Sequence, residues 1–336
     1  MKQRATLQQV ADLAQVSLGT ASRALAGRGR VSEATRTRVR EAAATLSFAP
    51  NTAASNFRRS RAGSVGLWLP PQVRFMDYYM NFTFGLSEAL GEDEVSLSLI
   101  PHSLRPDSVD RLHVDGFVMS DVVAGDPLAR AILESGKPVI TSEVVPEGMP
   151  APTGSVVTDQ AAAMRDSLDR LRRGGATSIV LLAPDIAQSW VDAARAGAST
   201  WARDASVRLE VITLAEVPPA AGIHTLIARV LSTNDDVDAI VCAVDGVAVG
   251  VLTALHDLGV AVPDRVQLVS HVDSAAMPVV LPPIAAVDLR PREAGMLTGR
   301  MLLAELDGGL GEDERVQTLA LEFHERASLR PVAEEA

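Results

Sequence analysis

Ser17, Thr20 and Ser22, with Arg23 directly after them, place three short hydroxyl side chains and a guanidinium in one stretch of chain. Hydroxyls of that length reach phosphate oxygens, and a guanidinium can fork onto the edge of a guanine. This is the chemistry of a nucleic-acid contact. Other chemistries find less support. The six histidines (102, 113, 224, 256, 271, 324) are scattered without metal-ligand spacing, and with one cysteine no metal site is expected. Cys242 lies in an apolar run and reads as a buried structural thiol that cannot form an internal disulfide, which fits a reducing cytoplasm. Asp245 and Asp273 invite an acid–base pairing, but helix capping is the commoner use of such carboxylates. No glycine fingerprint stands between a strand and a helix, and Gly27-Arg28-Gly29-Arg30 reads as a loop. No cofactor and no enzymatic activity are therefore expected.

The elements that must carry the hydroxyls are short helices. Thr6-Leu7-Gln8-Gln9 has the form of a capping box, and Leu7, Val10, Ala11 and Ala14 share one helical face. Gln15-Val16-Ser17 breaks that helix, and Ser17 caps a second running to about Leu25. Ser32 caps a third, with Val39, Ala42, Ala43 and Leu46 on its inner stripe, and Pro50 helps to end the region. Charge follows the same division. The chain of 336 residues has a net charge of −11, yet residues 1–62 hold eleven basic against three acidic side chains, a net of +8. A basic head on an acidic body confines attraction for polyanions to one end. Nothing approaches the roughly 20 apolar residues that span a bilayer, and no apolar run of the signal-peptide kind opens the chain, so no membrane partner is expected.

The run from Thr6 to Leu25, followed by Gly29-Arg30-Val31-Ser32-Glu33-Ala34-Thr35, resembles the helix-turn-helix head of the LacI/GalR family. The resemblance implies that Leu18 and Gly19 occupy base-reading positions and that Arg23 is the base-contacting arginine. Ser17, Thr20, Ser22, Val31, Ser32 and Thr35 then face the DNA backbone, and Thr6 and Leu7 join the interface. Leu18 and Gly19 are poor hydrogen-bonders, so Arg23 should carry more of the discrimination. Ala26 stands where the family usually has asparagine. The segment 51–62 corresponds to a hinge that folds on DNA and enters the minor groove, which carries Asn51, Ala54, Phe57 and Arg58 into contact. Phe57 takes the place of a wedging leucine, and Arg58, Arg59 and Arg61 would neutralise phosphates.

Beyond residue 62, short apolar runs alternate with amphipathic stretches. Strands are expected at Val65–Leu69, Val95–Ile100, Gly116–Met119, Pro138–Thr141, Ser178–Leu182, Leu209–Leu214, Ala239–Ala243 and Val266–Ser270. Runs apolar on both faces and separated by helices indicate parallel sheets covered on both sides. The fold class expected is a small all-α helix-turn-helix head plus an α/β two-lobed body. The resemblance, through Val114-Asp-Gly-Phe-Val-Met119, Asp238–Asp245 and Pro282–Val287 among others, makes that body periplasmic-binding-protein-like. It implies a head over 1–50, a hinge over 51–62 and an effector-binding and dimerisation domain over 63–330. Lobe 1 would take about 63–175 and 287–315, and lobe 2 about 176–286 and 316–330.

Ligand would bind between the lobes, at the carboxyl ends of the strands. The chain departs from the family there. It is about a dozen residues short between Ile100 and Val114, so a helix should be reduced. An arginine position falls on Ala194, with Arg195 next door, an Asn-Asp pair reads Val244-Asp245, and the ligand aspartate of a Gly-aromatic-Asp-Asp turn falls on Val272, between His271 and Asp273. Asp159 is retained, and Tyr78 and Tyr79 lie near an aromatic pair. Loss of three polar anchors should cost several kcal/mol of sugar affinity at roughly 1–3 kcal/mol each. The effector is therefore expected not to be an ordinary sugar bound in the family manner. His271 reads chiefly as a structural turn residue, and Trp190 and Trp201 chiefly as core. The expected function is a homodimeric repressor of a double-stranded operator, cytoplasmic and nucleoid-associated. A transport-type solute-binding protein is the alternative, against which the head speaks.

Overall fold

Among the described residues of the N-terminal unit stand three short helices, each begun by a hydroxyl. In α1 (Leu7–Leu13) the Thr6 hydroxyl accepts from the Gln9 amide at 3.3 Å, while Gln9 Oε1 accepts from the Thr6 amide at 2.8 Å. In α2 (Leu18–Leu25) Ser17 Oγ accepts from the Thr20 amide at 3.1 Å, and in α3 (Glu33–Thr45) Ser32 Oγ accepts from the Thr35 amide at 3.3 Å. Each bond satisfies a helix N–H that has no intrahelical partner. The core consists of Val10, Ala11, Ala14, Ala21, Ala24, Val39, Ala42 and Ala43. Most of these are alanine, so the helices approach closely and a larger residue at Ala21 or Ala24 would lift α2 off the other two.

The structure, a computed structural model, describes residues 5–25, 31–48, 61–71, 77–205, 207–215, 218–244 and 246–331. The chain divides into two units, 1–62 and 63–336. Ala26, the loop after it, the hinge residues Asn51, Ala54, Phe57 and Arg58, and Asp245 in the body lie outside the described residues.

Among its described residues the second unit holds two six-stranded sheets. The first has the order β11-β5-β4-β3-β1-β2 and is parallel throughout, with β1 (Ser64–Trp68), β2 (Ser96–Leu99), β3 (Gly116–Ser120), β4 (Val139–Ser142), β5 (Gly154–Val157) and β11 (Val316–Thr318). The second runs β12-β10-β9-β8-β6-β7, from β6 (Ser178–Pro184), β7 (Arg208–Leu214), β8 (Ala239–Cys242), β9 (Gln267–Ser270), β10 (Ala285–Asp288) and β12 (Glu322–His324). It is parallel except for β12, which lies antiparallel on β10.

Helices cover both faces of both sheets. α4 (Asp77–Gly91) and α10 (Pro291–Gly308) bury Phe82, Leu86, Leu90, Met301 and Leu302 on the first sheet, and α5 (Pro127–Leu133) covers its other face with Leu128 and Ile132. On the second sheet α6 (Gln160–Arg173) and α7 (Ser189–Ala205) take one side, α8 (Ala220–Thr233) and α9 (Val247–Asp257) the other. Cys242 is buried in that last layer, and burial pushes its thiol pKa up, as a structural cysteine requires. Between β2 and β3 only a 3-10 turn, Pro106–Arg111, stands where a helix was expected to be reduced.

Two of the three lobe crossings lie away from the expected places. Met164, Leu168 and Leu171 of α6 pack with Ile179 and Leu181 of the second sheet, so the first crossing precedes Gln160 instead of lying near residue 175. β11 pairs with β5 and β12 with β10, so the last crossing falls near residue 320, beyond the expected 315. The second crossing, between β10 and α10, lies close to the expected 287.

Candidate nucleic-acid interface and ligand cleft

Exposure along α2 separates two faces. Ala21 and Ala24 are fully buried, while Leu18, Gly19 and Arg23 are exposed and Ser22 is half-buried. Leu18, Gly19, Ser22 and Arg23 recur at helical spacing, so they share the outward face. A Cβ at Gly19 would meet nothing within 4 Å, which leaves the start of α2 open to close approach by another molecule. Ser17 and Thr20 hydroxyls lie 2.8 Å apart, and the Ser32 and Thr35 hydroxyls repeat the arrangement at 2.8 Å at the start of α3. Helix N-termini dressed with hydroxyls suit phosphate oxygens. Val31 is half-buried and packs on the head core, and Leu7 does the same. Thr6 is engaged in its capping box.

In the body, the carboxyl ends of β3 and β4 carry Asp121 and Glu143. Both are nearly buried, and both hold a left-handed backbone, with φ of 50° and 72°. Neither is glycine, so each conformation costs about 1–3 kcal/mol, which the surroundings must offset. Asp121 accepts from the Tyr79 hydroxyl at 2.8 Å and from Ser120 Oγ at 3.2 Å, and Tyr78 reaches Ser142 at 3.5 Å. Glu143 accepts from the Thr158 hydroxyl and, at 3.4 Å, from the Thr158 amide. Gln160 Nε2 lies 2.8 Å from Thr158 Oγ1, and Gln160 Oε1 lies 2.9 Å from Nε2 of His271 in the second lobe. Opposite β3, Gln188 donates to the Asp121 carbonyl at 2.7 Å and is itself oriented by Trp190 Nε1 at 2.9 Å, while the Ala124 amide donates to Ala187 at 2.9 Å. The Gln188 and Ala124 bonds join the two lobes.

Burial sets the charge state of this cluster. It pushes the Asp121 carboxyl from 3.8 up to about 6, against the Tyr79 and Ser120 hydrogen bonds that pull it down. It pushes Glu143 from 4.5 up to about 7, with hydrogen bonds from Thr158 opposing and the nearby Asp121 charge adding to the rise. Tyr78 is raised too, by burial and then by both carboxylates. Burial lowers His271 from 6.5 to about 4, so the ring is neutral near pH 7. A carboxyl raised on folding stabilises fully below its unfolded value, and that contribution disappears as pH rises through the folded one. The lowered histidine runs the other way, contributing above 6.5 and losing that contribution as pH falls toward 4. Above pH 6.5 only the carboxyl slope remains. Glu143→Gln is therefore expected to stabilise the body at pH 8, by about 1–3 kcal/mol, and to have little effect at pH 4. Thermal melts of both proteins across that range check this, and an equal shift at both ends contradicts it.

The residues expected at the site are distributed unevenly. Tyr78, Tyr79 and His271 belong to the cluster. Asp159 is exposed and caps α6, accepting from the Ala162 amide at 2.7 Å. Ala194 and Val272 are buried, and Val244 packs half-buried on the core of the second sheet. Arg195 donates to the Pro184 carbonyl at 2.8 Å and to Thr213 at 3.2 Å, on its own lobe. Asp273 is held by Arg326 at 2.6 Å and His324 at 2.6 Å. Burial works to raise that carboxyl, but the bonds and charges of the two partners hold it below its ordinary value. Trp201 is core, as expected, with Nε1 on Asp169 at 2.7 Å, whereas Trp190 is half-buried and orients Gln188. Asp121, Ser142, Glu143, Thr158, Gln160 and Gln188 were not singled out from the sequence. Their signal was position alone, since Asp121 and Glu143 directly follow β3 and β4, where ligands bind in open α/β sheets.

Residues 6–51 match the family model of bacterial regulatory proteins of the lacI family, and residues 168–329 match the periplasmic binding protein-like domain. The transcriptional regulator CelR of Thermobifida fusca is 28% identical over 96% of this chain and 97% of its own length. The regulator IpsA of Corynebacterium glutamicum is 26% identical over 98% and 99%. Among solved structures, a lac repressor dimer bound to operator and an anti-inducer aligns with a TM-score of 0.73 at 19% identity, covering 97% of this chain and 99% of that one. A CelR–cellobiose complex aligns at 0.70 and 24% identity, over 97% and 100%. The chain thus joins a helix-turn-helix head of the lacI family to a periplasmic binding protein-like domain, the make-up of DNA-binding transcriptional regulators, and the relatives it matches along its length are such regulators and not enzymes.

Proposed function

We propose that the protein is a repressor that binds a near-palindromic operator as a homodimer, one head to each half-site, with a small molecule in the body cleft tuning its grip on DNA. The observation that carries the reading is the outward face of α2. Leu18 and Gly19 meet base edges by methyl contact and close approach, Arg23 forks onto a guanine, and Ser17, Thr20, Ser22, Val31, Ser32 and Thr35 follow the backbone, with Thr6 and Leu7 beside them. Asn51, Ala54, Phe57 and Arg58 enter the minor groove, Phe57 as the wedge. Such a regulator works in the cytoplasm, on the nucleoid.

Dimerisation is supported by apolar side chains left in water. Leu281 is 88% exposed and Val279 76%, Leu99 on the edge strand β2 is 66%, and Phe84 on α4 is 52%. Val279 and Leu281, two residues apart in one loop, set two large apolar side chains side by side in water, the kind of surface a partner copy would cover. A charge placed among them removes the gain from covering them. Leu281→Asp is expected to weaken self-association by about tenfold or more, seen as a shift from dimer toward monomer in sedimentation velocity. A monomeric unaltered protein at micromolar concentration would overturn the homodimer.

The effector reading rests on the polar cluster between the lobes. Tyr78, Tyr79 and His271 contribute to it. By sequence position Arg195, Val244, Asp245, Val272, Asp273 and Asp159 correspond to the family's pocket, but Ala194 and Val272 are apolar, Asp159 caps α6 and Asp273 is engaged by Arg326. The effector is accordingly not an ordinary sugar held in the family manner. Its binding shifts lobe closure, with a coupling to DNA of about 1–3 kcal/mol. Operator affinity measured with a metabolite panel checks the coupling, and an affinity that no metabolite moves would overturn it.

A further inference from the structure

The direction of the hydrogen bonds around Glu143 determines which ligand groups the cleft accepts. Thr158 has one hydroxyl proton and gives it to Glu143, so its oxygen accepts from Gln160 Nε2 at 2.8 Å. That fixes the Gln160 amide with Oε1 turned toward His271, whose Nε2 is then the donor at 2.9 Å. A neutral imidazole that donates from Nε2 leaves a bare lone pair on Nδ1. Nδ1 has no partner among the described residues, on a side chain with no exposure. Asp121 also only accepts, from Tyr79 and Ser120. No lysine or arginine pairs with either carboxyl among the described residues, and every donor to them is neutral.

We propose that the effector carries a primary ammonium group held at Asp121 and Glu143. The proposal rests on reading the cleft as the effector site. Buried carboxylates without a counter-charge are costly, and a cation with hydrogen bonds to both relieves that cost. An ammonium is a donor on all sides and complements a site made of acceptors. The Tyr78 and Tyr79 rings beside it, edge to face with centroids 5.1 Å apart, add aromatic surface that attracts a cation. A neutral polyol, whose hydroxyls both donate and accept, leaves the two charges uncompensated.

Matched probes test this on the full chain. Glucosamine is compared with glucose, and 1,4-diaminobutane with 1,4-butanediol, by calorimetry and thermal midpoint near pH 7.5. At least one ammonium member is expected to bind about tenfold or more tighter than its neutral partner, and Glu143→Gln and Asp121→Asn each to remove most of that preference. The comparison in the unaltered protein stands whether or not the variants fold. Equal binding of the neutral partners, or no binding of either ammonium probe at millimolar concentration, overturns the proposal. Neutral-probe binding that Glu143→Gln abolishes overturns the ammonium class but leaves the cleft as the effector site. Probe binding indifferent to Glu143 and Asp121 overturns both.

Discussion

Gly295→Ala is expected to destabilise the body by about 2–3 kcal/mol, the upper part of the range for overpacking a core. A Cβ at Gly295 on α10 would stand 2.0 Å from the Phe82 carbonyl oxygen on α4, and one at Gly85 would stand 1.9 Å from the Arg292 carbonyl oxygen on α10. Neither obstacle is a flexible side chain that could turn aside. The two helices touch backbone to backbone, so an added methyl must move a whole helix off the first sheet and loosen Phe82, Leu86 and Met301 beneath it. Gly91, at the end of the same α4, has open space where its Cβ would be, and Gly91→Ala is expected to fall within about 0.5 kcal/mol of the unaltered protein. Denaturant unfolding of the three proteins checks the contrast. A Gly295→Ala protein as stable as Gly91→Ala would mean that α4 and α10 are farther apart than described.

Arg23→Ala is expected to weaken operator binding by about 1–3 kcal/mol per half-site, roughly tenfold to a hundredfold, and to relax sequence preference at one base pair of each half. Its neighbours on the outward face are Leu18 and Gly19, which donate and accept no hydrogen bonds through their side chains. Discrimination by hydrogen bonds thus concentrates on the guanidinium. Ser17→Ala should behave differently. It removes the α2 cap and a phosphate-facing hydroxyl, so it should weaken binding to all duplexes alike. Competition binding against single-base operator variants separates the two, and an unchanged preference profile in Arg23→Ala would remove the arginine from base reading.

Much of the architecture was legible because local signals agreed with the fold. Thr6 and Gln9, Ser17 and Ser32 announced the starts of the head helices, and each caps as its chemistry dictates. The eight expected strands are all present, and the apolar runs of six of them are buried between helices. The other two, β2 and β7, lie at sheet edges and are largely exposed despite apolar sequence. β5, β10, β11 and β12 were not among the expected strands; three residues such as Val316-Gln317-Thr318 carry no period of their own, and the pairing partner makes them a strand. The first lobe crossing was misplaced because α6 has the same amphipathic pattern whichever sheet it covers.

The site was less legible for a different reason. A ligand pocket is assembled from strand ends far apart in sequence, and a lone Asp121 or Glu143 looks like any surface carboxylate. Only the structure reveals that both are buried, left-handed and without a basic partner among the described residues. Conversely, Asp273 looked available, but Arg326, 53 residues away, takes its carboxylate.

Selection of bound sequences from random duplexes by the full chain, with affinity of the winner followed against salt, tests the central claim most directly. The predicted result is a near-palindromic sequence, bound with a steep negative salt slope, whose enrichment weakens in Arg23→Ala. No enriched sequence, with or without metabolites, and equal weak affinity for all duplexes would contradict the account of the head as an operator reader.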